Sequence, residues 1–89
     1  MSYSFSVTAA TKAAACRAVS AELDKVVESQ PVHAADRAAA QATAETFIIM
    51  LQGDPDMDIH VSMHGSIVTA EDGVRTASVG VTANLTQRA

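Results

Sequence analysis

The sequence predicts an α+β domain in the order β-α-α-β-β, with a three-stranded antiparallel sheet and a helical hairpin on one face. Strict alternation of polar and apolar residues marks three strands, at residues 2–8, 57–69 and 77–85. Two segments of helical composition lie between the first strand and the second, separated by Gln30 and Pro31. The chain of 89 residues is therefore predicted to form a single domain over residues 1–89.

The first strand places Tyr3, Phe5 and Val7 on one face, so we expect it to be part of the core. Either Thr8 or Thr11 can cap the helix that follows. The apolar stripe predicted to pack on the sheet consists of Cys16, Val19, Leu23, Val26 and Val27. The single cysteine is thus expected to be a buried apolar residue and not a reactive thiol.

The second helix is predicted over residues 34–51, with Gly53 as its cap. Two stripes are expected to face the core, at positions 35, 39, 42, 46, 49 and at positions 40, 44, 47, 51. Ile48 falls instead on the stripe of Arg37, Gln41, Glu45 and Gln52, which a single small domain should leave exposed. We therefore predict that Phe47, Ile48 and Leu51 contact a second chain. The alternative interface is an open strand edge, which could join the sheets of two chains.

The last two strands are predicted to form a hairpin. Its register follows from whether the inward-facing residues have odd or even numbers. Inward-facing apolar residues are odd-numbered in both strands, so facing residue numbers must sum to an even number. A three-residue loop over residues 71–73, with Gly73 in the left-handed region, satisfies this condition. It sets Met63 opposite Val81 on the inner face and His60 opposite Asn84 on the outer face. The sequence leaves open whether strand 1 lies beside strand 2 or strand 3.

The composition favours self-association, most simply as a homodimer. The hydrophobic fraction of 48% is inflated by alanine, and there are two Phe, one Tyr and no Trp to fill a core. A single cysteine excludes an internal disulfide. Small domains with little core of their own commonly gain stability from a second chain.

Charge and hydropathy exclude several function classes. A net charge of -4 with six scattered basic residues makes nucleic-acid binding an unfavoured interpretation. We find neither an apolar segment of about 20 residues nor a signal peptide, so we expect a cytoplasmic protein without a membrane partner.

The candidate chemical groups do not form a convincing catalytic or metal site. Asp54, Asp56 and Asp58 have the spacing of a calcium loop, but Ile59 and Gly65 stand where that loop needs glycine and glutamate. Ser62 lies between two histidines, and residues i and i+2 on a strand are about 6.6 Å apart, which we take as too far for a nucleophile and its base. We therefore predict no enzyme activity, no metal and no cofactor.

The alternative to a protein-interaction role is a small-ligand site between subunits. A nucleotide or metabolite could meet a histidine at a helix N-terminus or the polar outer face of the sheet. The ligand-binding candidates are His33, Asp58, His60 and His64.

The strand YSFSVTAATKA, the phrase LDKVVESQPVHAADRAAAQATAETF and the Ser- and Thr-rich hairpin resemble small proteins encoded by bacteriophages and prophages. The resemblance covers nearly the whole chain and carries no activity or catalytic motif with it. It implies an accessory role in the cytoplasm of a bacterial host, exerted by binding a host or phage protein.

Overall fold

A computed structural model describes residues 1–53 and 55–88 and confirms the predicted element order. The elements are β1 (Ser2–Ala9), α1 (Lys12–Ser29), α2 (Ala34–Met50), β2 (Met57–Thr69) and β3 (Arg75–Gln87). The three strands form one antiparallel sheet in the order β1-β2-β3, with α1 packed mainly over β1 and α2 mainly over β3. The position of strand 1 is thus settled, because β1 pairs with β2 and places Phe5 opposite Met63.

The hairpin register is the one that parity predicts. Met63 lies opposite Val81, and His60 lies opposite Asn84. The loop closes with an Ala70 N to Val74 O hydrogen bond of 2.9 Å, and Gly73 has a φ of 85°. The hairpin extends past the start of β1, because Ser2 lies opposite Ser66 whereas the β2–β3 pairing continues to residue 69.

The core lies between the two helices and the odd-numbered residues of β2. Its buried members are Ala15, Val19, Leu23, Ala40, Ala44, Ile48, Ile59, Val61 and Met63. Three of the nine are alanines, which add little apolar area but let backbones approach closely. Large side chains therefore enter the core from β2, from the middle of α1 and from the C-terminal end of α2.

Helix α1 begins where one of the two candidate caps lies. Ala14 N donates to Thr11 Oγ1 at 3.1 Å, so Thr11 and not Thr8 is the cap. The prediction that Cys16 is buried was wrong. Cys16 is half-buried beside α2, and its neighbour Ala15 is completely buried instead. Val19 and Leu23 of the predicted stripe are buried, whereas Val27 at its far end is 39% exposed.

The predicted orientation of α2 was wrong in part: Ala40 and Ala44 of one predicted stripe are buried, but the other stripe does not face the core. Ile48 is completely buried, whereas the residues of the predicted stripe at 35, 39, 42, 46 and 49 are all exposed. The reason is that the polar stripe beside Ile48 faces α1 and not solvent. Arg37 bonds to Asp24 and to Ser20 across the helix pair. Gln41 Nε2 donates to the backbone oxygen of Cys16 at 3.2 Å.

The predicted glycine cap of α2 was also wrong. The helix ends at Met50, and Leu51 is the C-cap with extended backbone angles. Gly53 lies two residues further on and does not have a positive φ. The predicted turn that follows includes Asp54, which lies outside the described residues.

An aromatic ring takes the place of a missing side chain on the inner face of the sheet. Tyr3 and Gly65 are cross-strand partners, and a Cβ atom added to Gly65 would collide with the Tyr3 ring. Phe5 stacks on Tyr3 with a centroid separation of 6.3 Å. Burial raises the pKa of Tyr3 above its ordinary value, and the nearby charge of Asp36 adds to this effect.

Replacement of Gly73 by valine should destabilise the hairpin. A β-branched residue is strained at a φ of 85°, so we expect a loss of about 1 kcal/mol or more in the free energy of unfolding. Gly53→Val is the matched control, because a Cβ atom there meets no atom within 4 Å and the φ is not in the left-handed region. Equal denaturation midpoints for the two variants would contradict the loop geometry.

Cys16 should react slowly with thiol reagents in the native protein. Burial raises the pKa of its thiol above the ordinary value, and the charge of Glu45 raises it further, so little thiolate is present near neutral pH. We expect the labelling rate to rise with pH and to increase sharply on unfolding. Native and unfolded rates that are equal at neutral pH would place Cys16 on a free surface.

Candidate interaction surface

The polar outer face of the sheet carries three of the four candidate ligand-binding residues. Asp58 Oδ1 is 2.9 Å from Arg88 Nε, so its carboxylate is engaged in an ion pair. His64 is exposed and lies over Gly80, its partner across the hairpin. His60 is half-buried, four residues away and about 13 Å along the strand from His64.

His33 is at a different place in the fold. It is the N-cap residue of α2 in the connection between the helices, and its side chain makes no capping hydrogen bond. An open cavity of about 220 Å³ is lined by Pro31, Val32 and His33. The structure therefore does not bring His33 together with Asp58, His60 and His64.

The prediction that Ser62 is too far from the neighbouring histidines for contact was wrong for His60. Ser62 Oγ lies 3.3 Å from His60 Nε2, and Thr8 Oγ1 lies 3.1 Å from His60 Nδ1, because the imidazole bridges the gap between the two side chains. A nucleophile also needs donors that stabilise a developing oxyanion. β2 is the central strand, so its backbone N–H groups near Ser62 already donate to β1 or β3.

Within residues 1–53 and 55–88, no group of three or more His, Cys, Asp or Glu side chains is placed to hold a metal ion. In the same part of the chain, neither helix has the length and apolar character of a membrane-spanning segment.

The end of α2 exposes large apolar side chains. Phe47 is 44% exposed, Ile49 is 66% exposed and Met50 is 74% exposed. Ile48 is buried within the chain and Leu51 is half-buried, so of the predicted interface residues Phe47 contributes the most free surface. Ile49 was missed because its stripe was assigned to the core, and Met50 was missed because it lies on neither predicted stripe. The sequence did indicate exposed apolar surface here, since residues 47–51 are apolar on every side of the helix.

The β3 strand is a long open edge. It pairs with β2 on one side, and no described strand lies on its other side. Residue pairs in an antiparallel ladder alternate between bonded and non-bonded, and Ala70 with Val74 is a bonded pair. The even-numbered residues of β3 therefore direct their N–H and C=O groups to β2, and the odd-numbered residues direct theirs outward. From Thr76 to Thr86 the strand has no charged residue and no proline to block association.

The chain matches no protein-family model, and neither a curated protein nor a solved structure shows significant similarity to it. The exposed surfaces themselves therefore carry the functional argument.

Amide hydrogen exchange measured by NMR should show a two-residue period along β3. The N–H groups of Thr82 and Asn84 point to β2 and should exchange slowly, whereas those of Val81 and Ala83 point outward and should exchange fast in dilute protein. Slow exchange at all four positions in dilute monomer would show that the edge is already covered.

Proposed function

We propose that the protein is a non-enzymatic interaction domain that associates with itself and with a second protein. The resemblance to phage-encoded proteins suggests that this second protein belongs to a bacterial host or to a phage, in the host cytoplasm. The observation that carries the proposal is the exposure of Phe47, Ile49 and Met50 on the last turn of α2. Several large apolar side chains exposed at one end of a helix are typical of a protein contact site.

Burial of these side chains would stabilise a complex. Full burial of an Ile, Met or Phe side chain contributes about 1.5 to 3 kcal/mol relative to exposure. Within the monomer, Ile49 and Met50 gain little of this stabilisation because most of their surface is exposed. A symmetric contact would bury the patch of both chains at once, and a second copy is therefore the simplest partner for it.

Light scattering over a range of protein concentrations tests the self-association. We expect a mass above that of a single 9.2 kDa chain, and Ile49→Glu should lower it because the charge would be buried in the contact. Ala42→Glu is the matched control, since Ala42 is also exposed on α2 but lies nearer its middle. A constant single-chain mass at all concentrations, or equal effects of the two variants, would contradict the proposed contact.

A further inference from the structure

A chain of three hydrogen-bonded side chains crosses the outer face of the sheet. Thr8 Oγ1 is 3.1 Å from His60 Nδ1, and Ser62 Oγ is 3.3 Å from His60 Nε2. The sheet register creates this arrangement, because Thr8 lies opposite His60 in the β1–β2 pairing and Ser62 is on the same face of β2. Each nitrogen of the imidazole ring is therefore in contact with a hydroxyl.

The two contacts define a direction in which the Ser62 proton can move. A neutral imidazole has one N–H donor and one nitrogen that accepts. When Nδ1–H of His60 donates to Thr8 Oγ1, the other nitrogen is the acceptor for the Ser62 hydroxyl. In this tautomer Ser62 has a base within hydrogen-bond distance, and a third group orients that base. These are the relations that activate a serine nucleophile.

The groups around this chain leave the imidazole as the base for Ser62. Asp58 and His64 flank His60 on the same face of β2. Asp58 Oδ1 is 2.9 Å from Arg88 Nε, so its carboxylate is already paired. His64 is about 13 Å along the strand from His60. The residues that face His60 and Ser62 on the neighbouring strands are uncharged, and they are Ser6, Thr8, Thr82 and Asn84.

Ser62 differs in this respect from the other serines of the same face. That face also carries Ser2, Ser4, Ser6, Ser66 and Ser78. Among the described residues, the hydrogen bonds join no other serine hydroxyl to a histidine ring. A serine hydroxyl without a base is a weak nucleophile. Ser62 is therefore the serine of this face that can pass its proton to a neighbouring base as it attacks.

We propose that Ser62 is an acylation site that reacts with activated acyl esters, with His60 as general base. Ser62 Oγ attacks the carbonyl carbon of the ester while its proton passes to His60 Nε2. The tetrahedral intermediate then expels the leaving group, which takes the electron pair of its own C–O bond. His60 returns the proton to the departing oxygen. The products are an O-acyl serine at residue 62 and the free alcohol or phenol of the ester.

The reaction should stop after one acyl group on this site. Because the backbone N–H groups near Ser62 donate within the sheet, the remaining donors for an oxyanion are the hydroxyls of Ser6 and Thr82, which face it across both neighbouring strands. An ester with a good leaving group needs little such stabilisation. The serine ester that forms has a poor leaving group and should hydrolyse slowly. The inference thus adds a modification site to the proposed interaction domain without making it an enzyme.

The reagent 4-nitrophenyl acetate tests the site. Release of 4-nitrophenolate reports the rate of acetylation, and mass spectrometry of proteolytic peptides locates the acetyl group. We expect a burst of nitrophenolate with acetyl on Ser62. Acetylation confined to the amino groups of Lys12, Lys25 and the N-terminus would overturn the proposal. Acetylation of Ser66 as fast as that of Ser62 would also overturn it.

Three residues are changed to identify the base and its orientation. His60→Gln should slow acetylation of Ser62 by about a hundredfold or more, because the general base is lost. His64→Gln is the matched control and should leave the rate unchanged, since His64 is on the same strand and face but makes no contact with Ser62. Thr8→Val should slow the reaction and Thr8→Ser should restore it, because a hydroxyl is what orients the ring. Equal rates for His60→Gln and His64→Gln would contradict the assignment of the base.

The dependence of the rate on pH tests the base in the unaltered protein. An imidazole loses its proton between about pH 5 and 8, so the rate at Ser62 should rise across this range and then level off. His64→Gln should keep this profile. A rate that keeps rising in proportion to hydroxide concentration would show that the serine reacts without the imidazole and would overturn the proposal, even if His60→Gln does not fold.

Discussion

The close approach of the two helices is the contact on which the rest of the structure depends. Ala15 on α1 and Ala40 and Ala44 on α2 are completely buried, and their small side chains let the backbones come near each other. At this separation Arg37 and Gln41 reach Ser20 and the backbone of Cys16, so a stripe that looks solvent-facing in the sequence becomes an interhelical contact. The rotation of α2 that results buries Ile48 and exposes Ile49. An apolar surface at the end of α2 is thus a consequence of packing near its middle.

The register of the strands could be predicted from the sequence, but the buried face of α2 could not, for a physical reason. A strand has a period of two, so a single error of register moves every side chain to the other face, and the odd-numbered apolar residues from Met57 to Leu85 admit one arrangement. A helix with alanine on several sides offers little contrast between its faces. The sequence also contains no direct sign that Arg37 and Gln41 would find partners on α1. At the candidate site, the bridge between Ser62 and His60 was missed because a distance between Cα atoms says little about the reach of an imidazole ring.

The exposed apolar surface lies at one margin of the fold. Phe47, Ile49 and Met50 at the end of α2 keep much of their surface free. α2 contacts β3 more than β2, and β3 has no described strand on its outer side. The side of α1 that faces away from α2 instead carries the ion pair of Glu22 and Lys25. The two margins of the domain therefore differ in chemistry.

The contact between Tyr3 and Gly65 has a consequence for how this sequence can vary over evolutionary time. The ring occupies the volume that a side chain at residue 65 would need, so the two positions share one space across two strands. A mutation that enlarges residue 65 requires the ring to move away or to be lost, and loss of the ring alone leaves a void beside Phe5. Changes at the two positions are therefore coupled in evolution, although the positions are 62 apart in the sequence.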